Sequence, residues 1–350
     1  MKPWIVGASA LSLLFLVGCG SGSQVASKQA NNSGSLLING AGATFPYPIY
    51  SKWLNEYHKL HPNLEINYQA IGSGGGIRQL LAGTVDFGAS DMPMTDQMLA
   101  RAKEKILHFP TVLGADVPTY NLPGLKVQLR FTPQTLAELF LGKIKSWNDP
   151  RLARANPGVK LPNHEIVIVH RSDGSGTTFV WTDYLSKISP EWRSKVGAST
   201  SVNWPIGLGA KGNEGVSGLV EQTPYSLGYV ELIYALQNKL TYGIVRNSSG
   251  NFVKPDLSSV TAAAAGAAAN MPADFRVSIV NAPGAKAYPI SSFTWMLIPA
   301  QIPDAAKRDA LKGFLHWMLT DGQTMVESLD YAPLPPQIKS KEIAQISEIH

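Results

Sequence analysis

Apolar residues change from strand-like to helix-like spacing along residues 165–185. Glu165–Val169 is an apolar, β-branched run of the kind that forms buried strands. In Phe179–Leu185 the large apolar residues fall on one face of a helix. The pattern therefore predicts a strand, a short loop and a helix.

The same order begins the part of the chain that is rich in apolar residues. Leu36–Ile38 can start a strand, which Gly40 and Gly42 interrupt. Apolar residues from Tyr50 onward recur at helical spacing, and Thr44 is expected to cap that helix. The stretch lacks the third glycine of a dinucleotide-binding fingerprint, so it does not predict a nucleotide site.

A further unit follows directly. Leu64–Tyr68 alternates like a strand, Gly72–Gly76 comes next, and a short helix is predicted to end at Gly83. No Gly-Lys-Ser/Thr closes this glycine-rich loop, which distinguishes it from a P-loop. A short strand, Val85–Ala89, then delivers Asp91 at its carboxyl end, where ligands of open α/β sheets usually bind.

The loop between the strand and the helix at 165–185 carries the chemistry of an anion site. Arg171 offers a planar cationic fork that suits an oxyanion. The small residues at 174–178 let backbone N–H groups converge at the start of a helix, whose dipole adds positive potential. One such loop is often only a turn with a helix cap. Three strand–loop–helix units in one chain favour an oxyanion-binding site.

The first residues of the chain have the pattern of an export signal and are not expected to be part of the folded domain. Lys2 precedes an apolar segment, Ile5–Val17, that is too short for an ordinary membrane span. It ends in Leu16-Val17-Gly18-Cys19. Cys19 is the only cysteine of the chain, so no internal disulfide can form. This arrangement resembles the lipobox of bacterial lipoproteins, with a plain secretory signal as the alternative. Gly20–Ser35 is polar and predicts a flexible tether.

Composition bounds the remaining possibilities. The chain is 44% hydrophobic and 16% charged, and its length favours two α/β lobes. The net charge is +5, or +4 without the signal segment, whose single charge is Lys2. Lys and Arg are scattered, so no nucleic-acid partner is expected. His58 and His61 form the nearest histidine pair but lack further ligands nearby, so neither a metal nor a cofactor is expected.

Several motifs resemble one protein family. They are G-A-G-A-T-F-P, I-G-S-G-G-G-I, T-V-D-F-G-A-S-D, R-S-D-G-S-G-T-T-F, G-K-I-K-S-W-N-D-P, G-N-E-G-V and Y-P-I-S-S-F-T-W. In this order they are similar to motifs of the phosphate-binding proteins of bacterial phosphate ABC transporters, and the likeness covers nearly all of the chain after the tether. One departure is Gly74, where relatives often have Ser.

The resemblance implies a set of ligand contacts. Thr44 and Phe45 would offer hydroxyl and backbone donors, Ser73 would donate, and Asp91 would accept a proton from the ligand. The second half of the cage would be Arg171, Ser175, Gly176 and Thr177. Asp173 would orient Arg171 from behind.

The resemblance also implies an α/β architecture, the type II periplasmic-binding-protein fold, with two lobes joined by a two-strand hinge and a ligand cleft between them. The expected organisation is 1–18 signal peptide, 19–35 lipidated Cys and flexible tether, 36–114 plus 288–350 lobe one, and 115–287 lobe two.

The function that the resemblance implies is non-catalytic capture of inorganic phosphate outside the cytoplasmic membrane. Expected partners are the permease and ATPase subunits of a phosphate ABC transporter and the membrane itself, through a lipid anchor at Cys19. The protein is expected to be a monomer. Two alternatives remain. One is a phosphomonoesterase using Ser73 or Ser175, although neither lies in G-x-S-x-G. The other is a binder of another tetrahedral oxyanion such as sulfate.

Overall fold

The computed structural model describes residues 35–125 and 127–350; the predicted signal segment, Cys19 and the tether up to residue 34 lie outside them. The strands are β1 Leu36–Gly42, β2 Leu64–Ala70, β3 Phe87–Ser90, β4 Ile106–Tyr120, β5 Arg130–Phe131, β6 Val167–Arg171, β7 Leu208–Ala210, β8 Ser226–Glu231, β9 Thr241–Tyr242, β10 Ile244–Arg246, β11 Phe252–Val253 and β12 Ser291–Pro299. The helices are α1 Tyr47–Leu60, α2 Ser73–Ala82, α3 Asp96–Leu99, α4 Pro133–Phe140, α5 Pro150–Ala155, α6 Gly176–Ile188, α7 Pro190–Lys195, α8 Gly212–Gln222, α9 Leu232–Gln237, α10 Leu257–Ala269, α11 Ala305–Leu319 and α12 Pro336–Gln345, with 3₁₀ segments at Asp321–Leu329 and Ile346–Glu348.

The main sheet runs in the order β2-β1-β3-β12-β4-β8-β6-β7, and β9 also pairs with β4. We call β2, β1, β3 and β12 the first half-sheet; its β1 is parallel to both β2 and β3. We call β8, β6 and β7 the second half-sheet, in which β6 is parallel to both neighbours. A small separate sheet contains β11, β10 and β5. The parallel strands put their carboxyl ends at one edge within each half-sheet.

Strand β4 joins the two half-sheets. Its residues up to Ala115 pair antiparallel with β12, and from Asp116 onward it pairs antiparallel with β8. Every residue of β4 is buried, as expected for a central strand covered on both faces. The change of partner lies between two adjacent residues, Ala115 and Asp116, within the region where the sequence predicts a crossing between lobes.

Each half-sheet is covered by aromatic side chains. Trp53 of α1 is fully buried, and its indole N–H donates to the carbonyl of Gly322 at 2.8 Å. Trp181 of α6 stacks on Tyr229 of the second half-sheet, with ring centroids 5.0 Å apart. A buried indole that lacks an acceptor costs free energy, so the bond from Trp53 fixes how the C-terminal segment packs on α1.

Most predicted elements are confirmed, with two local corrections. The strand predicted before Arg171 extends through it, so Arg171 is the last residue of a strand rather than a loop residue. The expected helix cap at Thr44 is wrong, because α1 begins after Pro46 without a side-chain cap. The Thr44 hydroxyl is instead held by another residue of the site. The helix after Gly72 ends, as predicted, at Gly83, which adopts the left-handed conformation with φ 70°.

Among residues 35–125 and 127–350, no helix is both long and apolar enough to span a membrane.

Candidate functional site

The candidate site lies where strands of both half-sheets end. In the first half-sheet, β1 leads into Thr44 and Phe45, β3 leads into Asp91, and α2 begins at Ser73. In the second half-sheet, β6 ends at Arg171, and the turn after it leads into α6. Thr44, Phe45, Ser73, Asp91 and Arg171 are each at most 3% exposed. Polar side chains therefore lie buried beside the ends of strands from both half-sheets.

Arg171 is held by its neighbour on the same turn. Its Nε donates to Asp173 Oδ1 at 2.8 Å, and its Nη2 donates to Asp173 Oδ2 at 2.6 Å. The remaining terminal nitrogen, Nη1, donates to the Thr177 hydroxyl at 3.3 Å. The N–H of Gly212 donates to Asp173 Oδ1 at 3.0 Å, which holds the carboxylate in turn. Asp173 thus holds the guanidinium along one edge.

Asp91 faces the same space from the first half-sheet. Its Oδ1 accepts a hydrogen bond from the hydroxyl of Thr294 on β12 at 2.7 Å. Its backbone N–H donates to Ser73 Oγ at 3.2 Å, and its Oδ2 lies 3.5 Å from that hydroxyl. Asp91 and Ser73 therefore form one unit that spans the start of α2 and the end of β3.

Asn213, in the first turn of α8, links the two sides of the site. Its backbone N–H and its Nδ2 donate to Thr44 Oγ1 at 3.3 and 2.9 Å. The same Nδ2 donates to Thr177 Oγ1 at 3.2 Å. The Tyr234 hydroxyl donates to the carbonyl of Thr44 at 2.6 Å. The loop after β1 is thereby bonded to α8, which lies between β7 and β8 in the chain, and to α9, which follows β8.

The first turn of α6 supplies backbone donors. Ser175 is its N-cap, and Ser175 Oγ accepts from the N–H of Thr178 at 3.0 Å. The N–H groups of Gly176 and Thr177, and that of Phe45, have no acceptor within the described residues. The first N–H groups of a helix have no partner within the helix and point along its axis toward an anion.

The loops of the two half-sheets touch each other. A Cβ at Gly176 would overlap the Asp91 carboxylate and the Ser73 hydroxyl. The N–H of Gly74 donates to the carbonyl of Gly174 at 2.8 Å, and an added Cβ on either glycine would come 3.0 Å from the other's Cα. Close approach therefore excludes a side chain at Gly176 unless its neighbours move, and the loops of the two half-sheets are in direct contact.

The charges of the site follow from burial and pairing. Burial raises the pKa of Asp91 to about 7, although the Thr294 hydroxyl, Arg171 and Ser73 oppose the shift. Burial would also raise the pKa of Asp173, but the bonds and charge of Arg171 and the N–H of Gly212 hold it below its usual value. Burial disfavours the charged Arg171, yet Asp173 outweighs this and raises its pKa. The site thus contains a fixed ion pair and one carboxyl that titrates near neutrality.

The structure brings the predicted contact residues to one buried site. They are Thr44, Phe45, Ser73, Asp91, Arg171, Ser175, Gly176 and Thr177, with Asp173 behind Arg171. Their role as ligand contacts stays a prediction. Sequence reasoning missed Asn213, Thr294 and Tyr234. Asn213 and Thr294 lie in the motifs G-N-E-G-V and Y-P-I-S-S-F-T-W, so these motifs could have pointed to both.

The donors that the site offers are hydroxyls, N–H groups and one arginine, and these groups suit an anion. No group of three or more His, Cys, Asp or Glu side chains that could hold a metal ion occurs in the part of the chain that the structure describes. His58 uses its Nδ1 in a 2.8 Å contact with the carbonyl of Leu64, and His61 follows the end of α1.

Sequence comparison gives close relatives. The family model of the PBP superfamily domain matches residues 22–322. The phosphate-binding protein PstS of Xylella fastidiosa is 48% identical over 310 residues, which cover 88% of this chain and 84% of that protein. The phosphate-binding protein PstS of Pasteurella multocida is 47% identical over 311 residues, which cover 88% of this chain and 89% of that protein.

Solved structures share the fold. The high-affinity periplasmic phosphate-binding protein PfluDING, bound with phosphate at pH 8.5, matches with a TM-score of 0.72 at 22% identity over 89% of this chain and 94% of that one. A phosphate-bound putative phosphate ABC transporter substrate-binding protein from Clostridium perfringens matches with a TM-score of 0.63 at 16% identity over 85% of this chain and 100% of that one. The predicted type II periplasmic-binding-protein fold is confirmed.

Proposed function

Since the chain belongs to the PstS phosphate-binding proteins of the PBP superfamily, we propose that it captures inorganic phosphate and delivers it to an ABC-type phosphate permease. The observation that carries the proposal is the composition of the site. Hydroxyls, helix N–H groups and Arg171 can donate to a tetrahedral anion, and Asp91 offers one acceptor among them.

The proposal assigns each residue a role. Arg171 supplies the positive charge, and Asp173 orients it. The other donors are the hydroxyls of Thr44, Ser73, Ser175 and Thr177 and the N–H groups of Phe45, Gly176 and Thr177. Asp91 accepts a hydrogen bond from a phosphate hydroxyl, which sulfate cannot provide, because sulfate carries no proton near neutral pH. A carboxylate facing sulfate would leave two negative acceptors in contact, and that repulsion excludes the wrong anion.

The enzyme alternative is disfavoured by the contacts of the two serines. Ser175 Oγ caps its own helix, and the nearest partner of Ser73 is Asp91, so neither serine is hydrogen-bonded to a histidine base within the described residues. A cage of tight ground-state contacts gives no advantage to a transition state. We therefore propose binding without catalysis.

Calorimetric titration tests the proposal. Phosphate should bind at one site per chain, and sulfate should give no measurable heat at the same concentrations. Turnover of p-nitrophenyl phosphate is the second measurement. Hydrolysis that Ser73→Ala or Ser175→Ala abolishes would favour the phosphomonoesterase, and equal binding of sulfate would favour a general oxyanion binder.

The predicted lobes, 36–114 plus 288–350 and 115–287, are proposed as the bodies that close on the ligand. Support comes from the change of β4 partner between Ala115 and Asp116 and from the placement of donors on both half-sheets. A ligand that bonds both sides stabilises the closed form, because only that form makes all of the contacts.

Lipid anchoring at Cys19 on the outer face of the cytoplasmic membrane or in the periplasm remains part of the proposal, supported by the apolar segment before Cys19 and the polar tether after it. The protein would act as a monomer beside the permease and ATPase subunits. Two or more acyl chains anchor a protein stably. Cys19→Ala should release the protein from the membrane fraction or leave it unprocessed, and unchanged fractionation and processing would count against anchoring.

A further inference from the structure

The hydroxyl oxygens of the site share one property. Each accepts a hydrogen bond from a protein N–H: Thr44 Oγ1 from Asn213, Ser73 Oγ from the Asp91 backbone, Ser175 Oγ from the Thr178 backbone, and Thr177 Oγ1 from Asn213 and Arg171. A hydroxyl has one proton and two acceptor positions. When an N–H occupies an acceptor position, the hydroxyl proton is directed elsewhere.

For Ser73 and Ser175 the donor is a backbone N–H, whereas each threonine hydroxyl also accepts from a side chain. Thr44 Oγ1 accepts two bonds from Asn213, and Thr177 Oγ1 accepts one from Asn213 and one from Arg171. Both threonine oxygens therefore have their two acceptor positions filled. The only further hydrogen bond open to each hydroxyl is one in which it donates. An anion enclosed in the site would be the acceptor for it.

The orientation of the Asn213 amide is fixed by its third bond. Its Oδ1 accepts from the N–H of Glu231 at 3.1 Å. A backbone N–H can only donate, so the amide oxygen must face Glu231 and the NH₂ group must face the threonines. Asn213 is fully buried, which leaves it no water to satisfy the amide in the reverse orientation.

We propose that Asn213 is a positioning residue that directs the hydroxyl protons of Thr44 and Thr177 toward the bound anion. This inference rests on the proposed function, since it assigns the two threonines as phosphate donors. Asn213 makes the cage a surface of donors in which Asp91 alone accepts. An anion with several acceptor oxygens and one proton fits that surface.

A structural role for Asn213 is the competing explanation, because the same bonds also tie the loop after β1 to α8. A mutant cycle over Thr44 and Thr177 separates the two roles. Asn213→Ala should weaken phosphate binding by about tenfold, since two hydroxyls lose their fixed direction. In Thr44→Val alone the side-chain tie between the loop after β1 and α8 is gone, but Thr177 keeps its hydroxyl. Asn213→Ala should then still weaken binding by about threefold if Asn213 directs protons, and it should have no effect if Asn213 only ties the loop. In a background carrying Thr44→Val and Thr177→Val no hydroxyl remains to be directed, so Asn213→Ala should change the affinity by less than about twofold.

Asn156 provides the matched control. It is buried in the same way, donates Nδ2 to the carbonyls of Arg130 and Leu152, and accepts from the N–H of Arg130. Asn156→Ala should lower the melting temperature and leave the phosphate affinity unchanged. If Asn213→Ala fails to fold, Asn213→Leu keeps much of the side-chain volume, adds no charge and no donor, and enters the same cycle.

The outcomes are distinct. Equal effects of the Asn213 substitution in every background, or no effect in the wild-type background, would overturn the positioning role and leave phosphate binding intact. Failure of the wild-type protein to bind phosphate would instead overturn the proposed function. A tenfold effect with both threonines, about threefold with Thr177 alone and less than about twofold with neither supports the inference. An effect that is already absent in Thr44→Val would overturn it.

Discussion

The site and the strand crossing each contain two carboxyls, and the surroundings of the two pairs differ. In the site, Asp173 accepts two bonds from Arg171 and one from Gly212, and Asp91 accepts from Thr294. At the strand crossing, Asp116 and Glu231 are register partners on β4 and β8. Within the described residues neither oxygen of Asp116 has a hydrogen-bond partner, and Glu231 uses only Oε2, which accepts from Ile233.

The contrast shows that the hydrogen-bond donors and cations around a buried carboxyl, rather than burial alone, decide whether it is ionised. Burial raises the pKa of both crossing carboxyls well above the usual range, and nearby carboxylates raise it further. Asp173 is largely buried too, yet Arg171 keeps its pKa low. Asp91 lies between these cases, with a pKa of about 7. The site therefore holds charge where donors are supplied, and the crossing is expected to hold neutral carboxyls.

Removing Arg171 breaks the ion pair with Asp173, and of all the substitutions considered it should have the largest effect on phosphate affinity. Its charge-assisted bonds to the anion are worth roughly 1.5–3 kcal/mol each, so Arg171→Ala should weaken phosphate binding on the order of a thousandfold. It would also leave Asp173 buried without its partner, which should lower the melting temperature as well. Calorimetry and thermal unfolding measure the two effects separately.

Arg151 is the matched control for this substitution. It pairs with Asp149 through Nε at 2.8 Å and Nη2 at 2.7 Å, and its Nη1 donates to Glu138. Arg151 and Asp149 thus repeat the two-bond pairing of Arg171 with Asp173, with the two residues again two positions apart, but they are not among the site residues. Arg151→Ala should leave phosphate affinity unchanged. Similar losses of affinity in both variants would show that Arg171 acts through the fold and not on the anion.

Asp91→Asn should change selectivity rather than abolish binding. At pH 9, where Asp91 of the wild-type protein is ionised, the neutral amide removes the repulsion between a carboxylate and sulfate. Sulfate affinity should then rise on the order of a hundredfold, while phosphate affinity is retained or modestly weakened. Competition of sulfate against labelled phosphate measures the ratio. A variant that still excludes sulfate, with phosphate affinity unchanged, would place selectivity elsewhere in the cage.

The sulfate exclusion of the wild-type protein should also depend on pH. The pKa of Asp91 is raised to about 7, so its neutral form gains population as the pH falls toward that value. A neutral carboxyl can donate to sulfate instead of repelling it. Sulfate affinity should therefore rise by up to about tenfold for each pH unit as the pH falls from 9 toward 7, and it should level off within about twofold below 7. This slope should vanish in Asp91→Asn. A pH-independent wild-type protein would contradict the assignment.

The sequence predicts local units well and long-range bonds poorly. Strand–loop–helix spacing and the family motifs led to Asp91, Arg171 and the start of α6, because each lies at an element boundary that local patterns mark. Asn213 and Thr294 are bonded to residues 169 and 203 positions away, and no local pattern encodes such pairs. The cap expected at Thr44 failed for the same reason, since a distant asparagine uses its hydroxyl.

The crossing carboxyls give the smallest predicted change, in stability rather than affinity. Asp116 has a folded-state pKa well above its unfolded value, so the folded protein keeps a proton that the unfolded chain releases. The stability is then greatest below the unfolded pKa and falls as pH rises toward the folded pKa. Asp116→Asn removes this titration, and its amide can donate to Glu231 Oε1, which lacks a donor among the described residues. The variant should be about 1–3 kcal/mol more stable than the wild type at pH 8, with a smaller difference at pH 4.

Asp149→Asn is the opposite control: Arg151 holds the pKa of Asp149 low, so this substitution should lower stability at pH 8 and have little effect at pH 3. Chemical denaturation in phosphate-free buffer measures both, and phosphate affinity should stay within about twofold for Asp116→Asn. Loss of stability at every pH would mean that Asp116 is charged and paired in the folded protein, and the contrast between the two carboxyl pairs would not hold.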